Sequence, residues 1–156
     1  MSCNDHNAQG TPISECGFDE ATQQLIYLCR FYFTSYAAGE TPDCETAVDI
    51  CRKGFGQDYA VEISIGLLCV LSAMRERRKT IFRYNSATCL KCHDRVSDCE
   101  RLLFMTIQSI KDGRYSQAHV SAMMLCEGHD TTRLFREITR LNSFLEKAQS
   151  GMKKIS

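Results

Sequence analysis

Residues 61–74 have the sequence VEISIGLLCVLSAM, and this stretch decides the predicted fold. Its apolar side chains would cover nearly every side of a helix. That pattern is typical of a central helix covered by its neighbours, or of a helix that pairs with another subunit. Residues 59–65 also alternate with β-branched side chains, so a strand there is the competing prediction. The apolar run from Ile63 to Met74 is too short to cross a bilayer, so we expect no membrane-spanning segment.

Helix signals flank this stretch on both sides. Before it, apolar residues repeat at helical spacing over Phe18–Ala38. Thr41–Pro42 has the residue types that begin a helix, with proline at the first helical position. After it, Ser97–Glu100 has the S-x-x-E pattern of a capping box and predicts the start of a fourth helix. Two further helices are predicted to begin near Tyr115 and at Asp130, with Asp130 as the N-cap.

These elements together predict an all-α, single-domain bundle of five or six helices with one irregular metal-binding loop. The 156 residues suit one domain, and a hydrophobic content of 44% is enough to form a real core. We predict a helical domain over residues 18–148, a flexible N-terminal tail over 1–17 and a flexible C-terminal tail over 149–156.

Cysteine placement carries the main chemical prediction, because the chain has ten cysteines. Two cysteines separated by two residues can hold one metal ion, and zinc takes four such ligands in a tetrahedron. Cys89-Leu-Lys-Cys92 and Cys126-Glu-Gly-His129 both have this spacing, and an antiparallel pairing of the fourth and fifth helices would bring them together. The predicted structural zinc ligands are Cys89, Cys92, Cys126 and His129, with Cys99 and His93 as substitutes. The alternative is that these are unliganded core thiols.

Two other kinds of chemistry remain open for the same segment. Residues 89–93 match the C-x-x-C-H motif of covalent haem attachment. Such attachment normally follows export, and residues 1–17 lack the basic and apolar regions of a secretion signal, which disfavours haem. A redox-sensing cysteine pair is the other alternative. We expect a cytoplasmic protein with reduced cysteines.

The formal charge is zero, with 19 Lys and Arg against 19 Asp and Glu, which excludes a strong overall attraction to nucleic acid. A local basic patch is still possible near the ends of two helices. Its candidate residues are Arg75, Arg77, Arg78, Lys79, Arg133, Arg136 and Arg140. A DNA-binding regulator with a helix-turn-helix in the fifth and sixth helices is one interpretation. Cations at a helix C-terminus or on a solvated face explain the same residues.

No common catalytic motif is present: the sequence has no G-x-S-x-G, no H-E-x-x-H and no P-loop. His119 and Glu62 are isolated candidates inside apolar helices, so a protein without enzymatic activity is favoured. The prediction is therefore a small helical regulatory or adaptor protein with a structural zinc site. It would act through contacts with a protein partner or with further copies of itself.

Overall fold

The computed structural model describes residues 10–155, and the predictions for residues 1–9 and 156 fall outside this range. The described chain forms six α-helices and one pair of short antiparallel strands. The elements are β1 (Thr11–Pro12), α1 (Glu20–Ala37), α2 (Cys44–Phe55), α3 (Ala60–Arg75), β2 (Arg95–Val96), α4 (Asp98–Lys111), α5 (Tyr115–Leu125) and α6 (Thr132–Ile155). The predicted helical class is confirmed.

Helix α3 lies at the centre of the bundle, packed mainly against α6 and α2, while α4 packs mainly against α5. Ile63, Leu67 and Val70 are fully buried on α3. The helix begins at Ala60, so the competing strand at residues 59–65 is wrong. One long apolar segment can bury most of its sides only where other helices surround it, as they do here.

The N-cap of α4 is the one that the sequence predicts, whereas the N-cap of α2 is a different residue from the predicted one. Ser97 and Glu100 form the predicted capping box reciprocally. At α2 the N-cap is Asp43, whose carboxylate accepts hydrogen bonds from the next turn, and the helix ends at Gly56 with φ at 84°. The predicted start at Thr41 was two residues early because a carboxylate at position 43 satisfies the first free N–H groups.

Secondary structure is also found outside residues 18–148, while the flexibility of the two tails stays a prediction. Residues 11–12 pair with residues 95–96, and the backbone N–H of Ile13 donates to the carbonyl oxygen of Asp94 at 2.9 Å. Ile13 itself is buried against the core. At the other end α6 continues past residue 148 to Ile155. Pairing with β2 and the burial of Ile13 explain why the chain is structured before residue 18.

A fully buried ion pair joins α1 to α4. Nε of Arg30 lies 2.7 Å from Oε1 of Glu100, and neither side chain is exposed to solvent. The remaining guanidinium nitrogens donate to the carbonyl oxygens of His93 at 2.7 Å and Arg95 at 2.5 Å. Glu100 also accepts from the backbone N–H of Ser97 at 2.8 Å. One arginine therefore fixes the chain that leads into α4.

Helices α3 and α6 approach closely at Gly66, where a Cβ atom would lie 3.2 Å from Cδ1 of Leu141. We expect Gly66→Val to lower the free energy of unfolding by about 1–3 kcal/mol, the usual cost of overpacking a core. Urea denaturation followed by circular dichroism measures this. Because Leu141 is the obstacle, Gly66→Val should cost less in a Leu141→Ala background, and strictly additive costs would contradict the contact.

Candidate functional site

The first predicted metal-ligand pair lies in the irregular chain between α3 and α4, where α1 holds it. Cys92 is buried and Cys89 is half-buried. Arg30 anchors this segment through the carbonyl oxygens of His93 and Arg95. Nδ1 of His93 lies 3.0 Å from the carbonyl oxygen of Cys89, so one ring nitrogen is engaged within the loop itself.

The second pair lies in the turn between α5 and α6. Cys126 is fully buried, and burial raises the pKa of its thiol. Nδ1 of His129 lies 2.9 Å from the carbonyl oxygen of Cys126. Arg78 donates to the carbonyl oxygen of Leu125 at 2.7 Å and lies 3.7 Å from Sγ of Cys99. The start of α4 and the end of α5 are thus joined by a guanidinium.

Within residues 10–155, no three His, Cys, Asp or Glu side chains form a group that could hold a metal ion. The structure does not bring Cys89, Cys92, Cys126 and His129 together as one ligand set. Arg30 ties the first pair to α1, and Arg78 bonds the backbone beside the second. Zinc thus remains a prediction without geometric support. Stoichiometric zinc that is lost in both Cys89→Ser and Cys126→Ser would establish it. Haem attachment and thiol redox chemistry at residues 89–93 also remain predictions.

The predicted basic patch is assembled where the end of α3 meets the start of α6, but most of its cations are paired. The ion pairs are Arg77–Asp130, Arg78–Glu127, Arg133–Glu76 and Arg136–Glu137. Arg75 stacks over the ring of Tyr36, 4.8 Å from its centroid. Lys79 and Arg140 are exposed. Cations that already face carboxylates offer little net charge to a phosphate backbone, so this arrangement favours a structural role.

The two isolated catalytic candidates lie on the surface. Glu62 is exposed in the first turn of α3. His119 is exposed on α5 and stacks on Phe135 of α6, with ring centroids 4.4 Å apart. Neither residue lines the cavity that α3 forms with α1 and α2.

That cavity has a volume of about 560 Å³. It lies between the end of α1, the start of α2 and the first half of α3. Apolar and aromatic side chains form its wall; they are Tyr32, Tyr36, Val48, Val61, Ile65 and Leu68. Cavities of roughly 300–1,000 Å³ with such linings are typical of binding sites.

A few polar groups interrupt this apolar wall. The hydroxyl of Tyr32 donates to the carbonyl oxygen of Ser64 at 2.8 Å, and the hydroxyl of Ser64 donates to the carbonyl oxygen of Val61 at 2.9 Å. Both donors are therefore engaged, which keeps the floor apolar in character. Glu40 and Cys44 are exposed at the rim. The cavity thus combines a wall whose hydroxyl donors are already bonded with a polar edge.

The apolar surface continues out of the cavity along α3. Val61 is 49% exposed and Ile65 is 55% exposed, although both are large β-branched residues on the central helix. Together with Leu68 they follow each other at i, i+4 and i+7, on one face of the helix. We call Val61, Ile65 and Leu68 the α3 stripe. It is the side of α3 that its neighbours leave open.

The sequence indicated part of this site. The apolar character of α3 on nearly all sides gave two alternatives, full coverage by its neighbours or pairing with another subunit. The exposed α3 stripe shows that the neighbours do not cover the helix fully. The contributions of Tyr36 and Glu40 were missed, because they depend on how the α1–α2 connection folds back toward α3. No local motif signals that approach.

Comparison with known protein families, with curated proteins and with solved structures gives no match to this chain. Over residues 10–155, no single helix is long and apolar enough to cross a membrane. Helices α2 and α3 meet the length and hydropathy criteria only as a pair, which is bent by 112°.

Proposed function

We propose that this protein is a helical adaptor that binds a partner by receiving apolar side chains in the cavity between α1, α2 and α3. The observation that carries the proposal is the continuity of a cavity of about 560 Å³ with the half-exposed α3 stripe. An adaptor needs an apolar surface that is stable in water when empty and gains free energy when covered. The cavity and the stripe together have that character.

Val61 and Ile65 would contribute binding free energy when a partner covers them, because both are about half exposed. Each apolar Å² removed from water contributes about 25 cal/mol, so covering two half-exposed branched side chains supplies a useful share of a binding free energy. Tyr36, which lines the same cavity, adds an aromatic side chain of the type that is enriched among the residues contributing most to binding free energy. Binding would then require little rearrangement of the bundle.

Regulatory action, cytoplasmic location and structural zinc stay separate proposals, and binding at the cavity requires none of them. A cavity of this volume is also large enough for a small apolar molecule. The exposed stripe favours a protein, because small ligands are usually buried over most of their own surface.

The first test uses a neutral, environment-sensitive apolar dye as the probe. We expect saturable binding to the wild-type protein, with an affinity that falls at least about tenfold in the double variant Val61→Asn/Ile65→Asn, a loss of about 1.4 kcal/mol. Fluorescence titration measures it.

The matched control is Val120→Asn/Met124→Asn on α5. These residues are also spaced i, i+4 and are 62% and 61% exposed, but they do not line the cavity. The control variant should bind the dye as the wild type does. Equal losses in both variants, or no loss in the α3 variant, would count against the cavity as the binding site.

A further inference from the structure

Resting on the proposed function, we infer that the occupant of the cavity and the α3 stripe is an amphipathic helix of another protein, with Lys or Arg residues flanking its apolar face. The shape of the groove and the charges around it both favour such a partner.

Shape favours a helix. Val61, Ile65 and Leu68 extend over two turns of α3, about 10 Å at 1.5 Å per residue. A helix laid along such a stripe presents its own side chains at i, i+4 and i+7, which is the usual arrangement of a helix bound in a groove. The cavity beside the stripe would accept one larger side chain from that helix. Gly39 and Thr41 line the same cavity and are exposed, so this edge of the cavity faces solvent.

Charge favours a basic partner. The chain has no Lys or Arg between Arg30 and Arg52, and none between Lys53 and Arg75, so the segments that build the groove carry only acids. Glu40 is exposed at the rim of the cavity, and Glu62 is exposed next to Val61 in the first turn of α3. Asp43 and Glu45 are exposed on either side of Cys44, which lines the cavity. Arg75, the last residue of α3, stacks on Tyr36 of the cavity wall. Residues 31–51 and 54–74, which build the groove, contain acids but no Lys or Arg, and a basic helix complements such a surface.

A second copy of the described chain does not supply such a helix. The other exposed apolar residues at helical spacing, Val120, Met123 and Met124, lie on α5, and α5 has no Lys or Arg. Helix α6 is rich in cations, but its apolar residues Leu134 and Ile138 are buried in the chain's own core. A different protein therefore fits the groove better than a second copy does.

The experiment uses synthetic helical peptides that each carry one tryptophan on the apolar face. The protein has no tryptophan, so fluorescence excited at a wavelength that its six tyrosines do not absorb reports on the peptide alone. The first peptide has a leucine face flanked by lysines. The second has the same leucine face flanked by glutamates. The third has the composition of the first in an order that gives no apolar face.

We expect the lysine-flanked peptide to bind at least about tenfold tighter than the glutamate-flanked peptide at low salt, with the difference shrinking as salt screens the rim. Val61→Asn/Ile65→Asn should weaken binding about tenfold or more, and the α5 double variant should not. Glu40→Gln/Glu62→Gln should weaken it about threefold, consistent with exposed charge pairs, whereas Glu146→Gln on α6 should leave it unchanged.

Three results would overturn the inference: equal affinity for both flanked peptides, tight binding of the peptide without an apolar face, or insensitivity to the α3 double variant. Concentration-dependent self-association that Val61→Asn/Ile65→Asn abolishes would assign the groove to a second copy instead. The dye titration distinguishes a failure of the helical-partner inference from a failure of the proposed adaptor function. Dye binding without peptide binding removes the helical partner and keeps the cavity as a binding site, whereas loss of both removes the adaptor function.

Discussion

Replacing Arg30 with methionine should lower the free energy of unfolding by about 3–5 kcal/mol, the usual result of breaking a buried ion pair from one side. Methionine replaces the apolar stem of arginine but not its guanidinium, so the loss comes chiefly from the missing charge and donors. It leaves the buried carboxylate of Glu100 without its cation. It also removes the donors to the carbonyl oxygens of His93 and Arg95. Both consequences act at one point, where the chain enters α4.

Chemical denaturation followed by circular dichroism measures the effect of Arg30→Met. The matched control is Arg52→Met, which removes the cation of an exposed pair with Asp49, and it should cost less than about 1 kcal/mol. If Arg30→Met costs no more than Arg52→Met, the buried pair is not a stabilising contact of the native state.

A double variant tests how much of the lost stability comes from the unpaired carboxylate of Glu100. Adding Glu100→Met to Arg30→Met removes the stranded carboxylate, so the double variant should be less destabilised than the sum of the two single variants. Full recovery is not expected, because Glu100 also accepts from the backbone of Ser97 and the two carbonyl oxygens still lack their donors. Additive losses would contradict a direct coupling between the two side chains.

The helices could be predicted from the sequence because their signals are local. The α4 capping box needs only Ser97 and Glu100, three residues apart, and both partners bond as the pattern predicts. The length of the apolar segment at residues 61–74 favoured a helix over a strand, and α3 confirms it. Errors arose where several residues compete for one role, as Thr41 and Asp43 do for the α2 cap.

The candidate site could not be predicted in the same way, because it depends on contacts between distant segments. Arg30 and Glu100 are 70 residues apart, and neither has a neighbouring motif that identifies the other. The spacing of Cys89, Cys92, Cys126 and His129 says how far apart they lie along the chain. It cannot say that Arg30 and Arg78 hold the two segments in other contacts.

The cavity could not be predicted from the sequence for the same reason. Its walls come from the end of α1, the start of α2 and the first half of α3, so no single stretch of sequence outlines it. What the sequence did contain was an excess of apolar residues on α3 beyond those that one buried face needs. That excess is now located in the α3 stripe, which the packing of α2 and α6 leaves exposed.

Raising the pH above about 9 should destabilise the protein steeply, because the fold buries ionisable thiols in their neutral form. Burial raises the pKa of Cys51 from its ordinary value of 9.0 to about 12, and it raises the pKa of Cys29 well above 9.0. The unfolded chain releases these protons first as the pH rises, so unfolding becomes more favourable. The stability is therefore complete below about pH 9 and declines progressively toward pH 12.

Cys51→Ala tests the contribution of one thiol to this decline. Between about pH 9 and pH 12, Cys51 alone should account for about 1.4 kcal/mol per pH unit of the fall in the free energy of unfolding. Urea denaturation at a series of pH values gives the slope, and Cys51→Ala should reduce it by that amount even though the variant also loses some packing at neutral pH. The matched control is Cys44→Ala, which removes an exposed thiol from the first turn of the same helix. An identical slope in the wild type and in Cys51→Ala would mean that the Cys51 thiol is not held neutral by the fold, while a reduced slope in both variants would assign the effect to thiol removal rather than to burial.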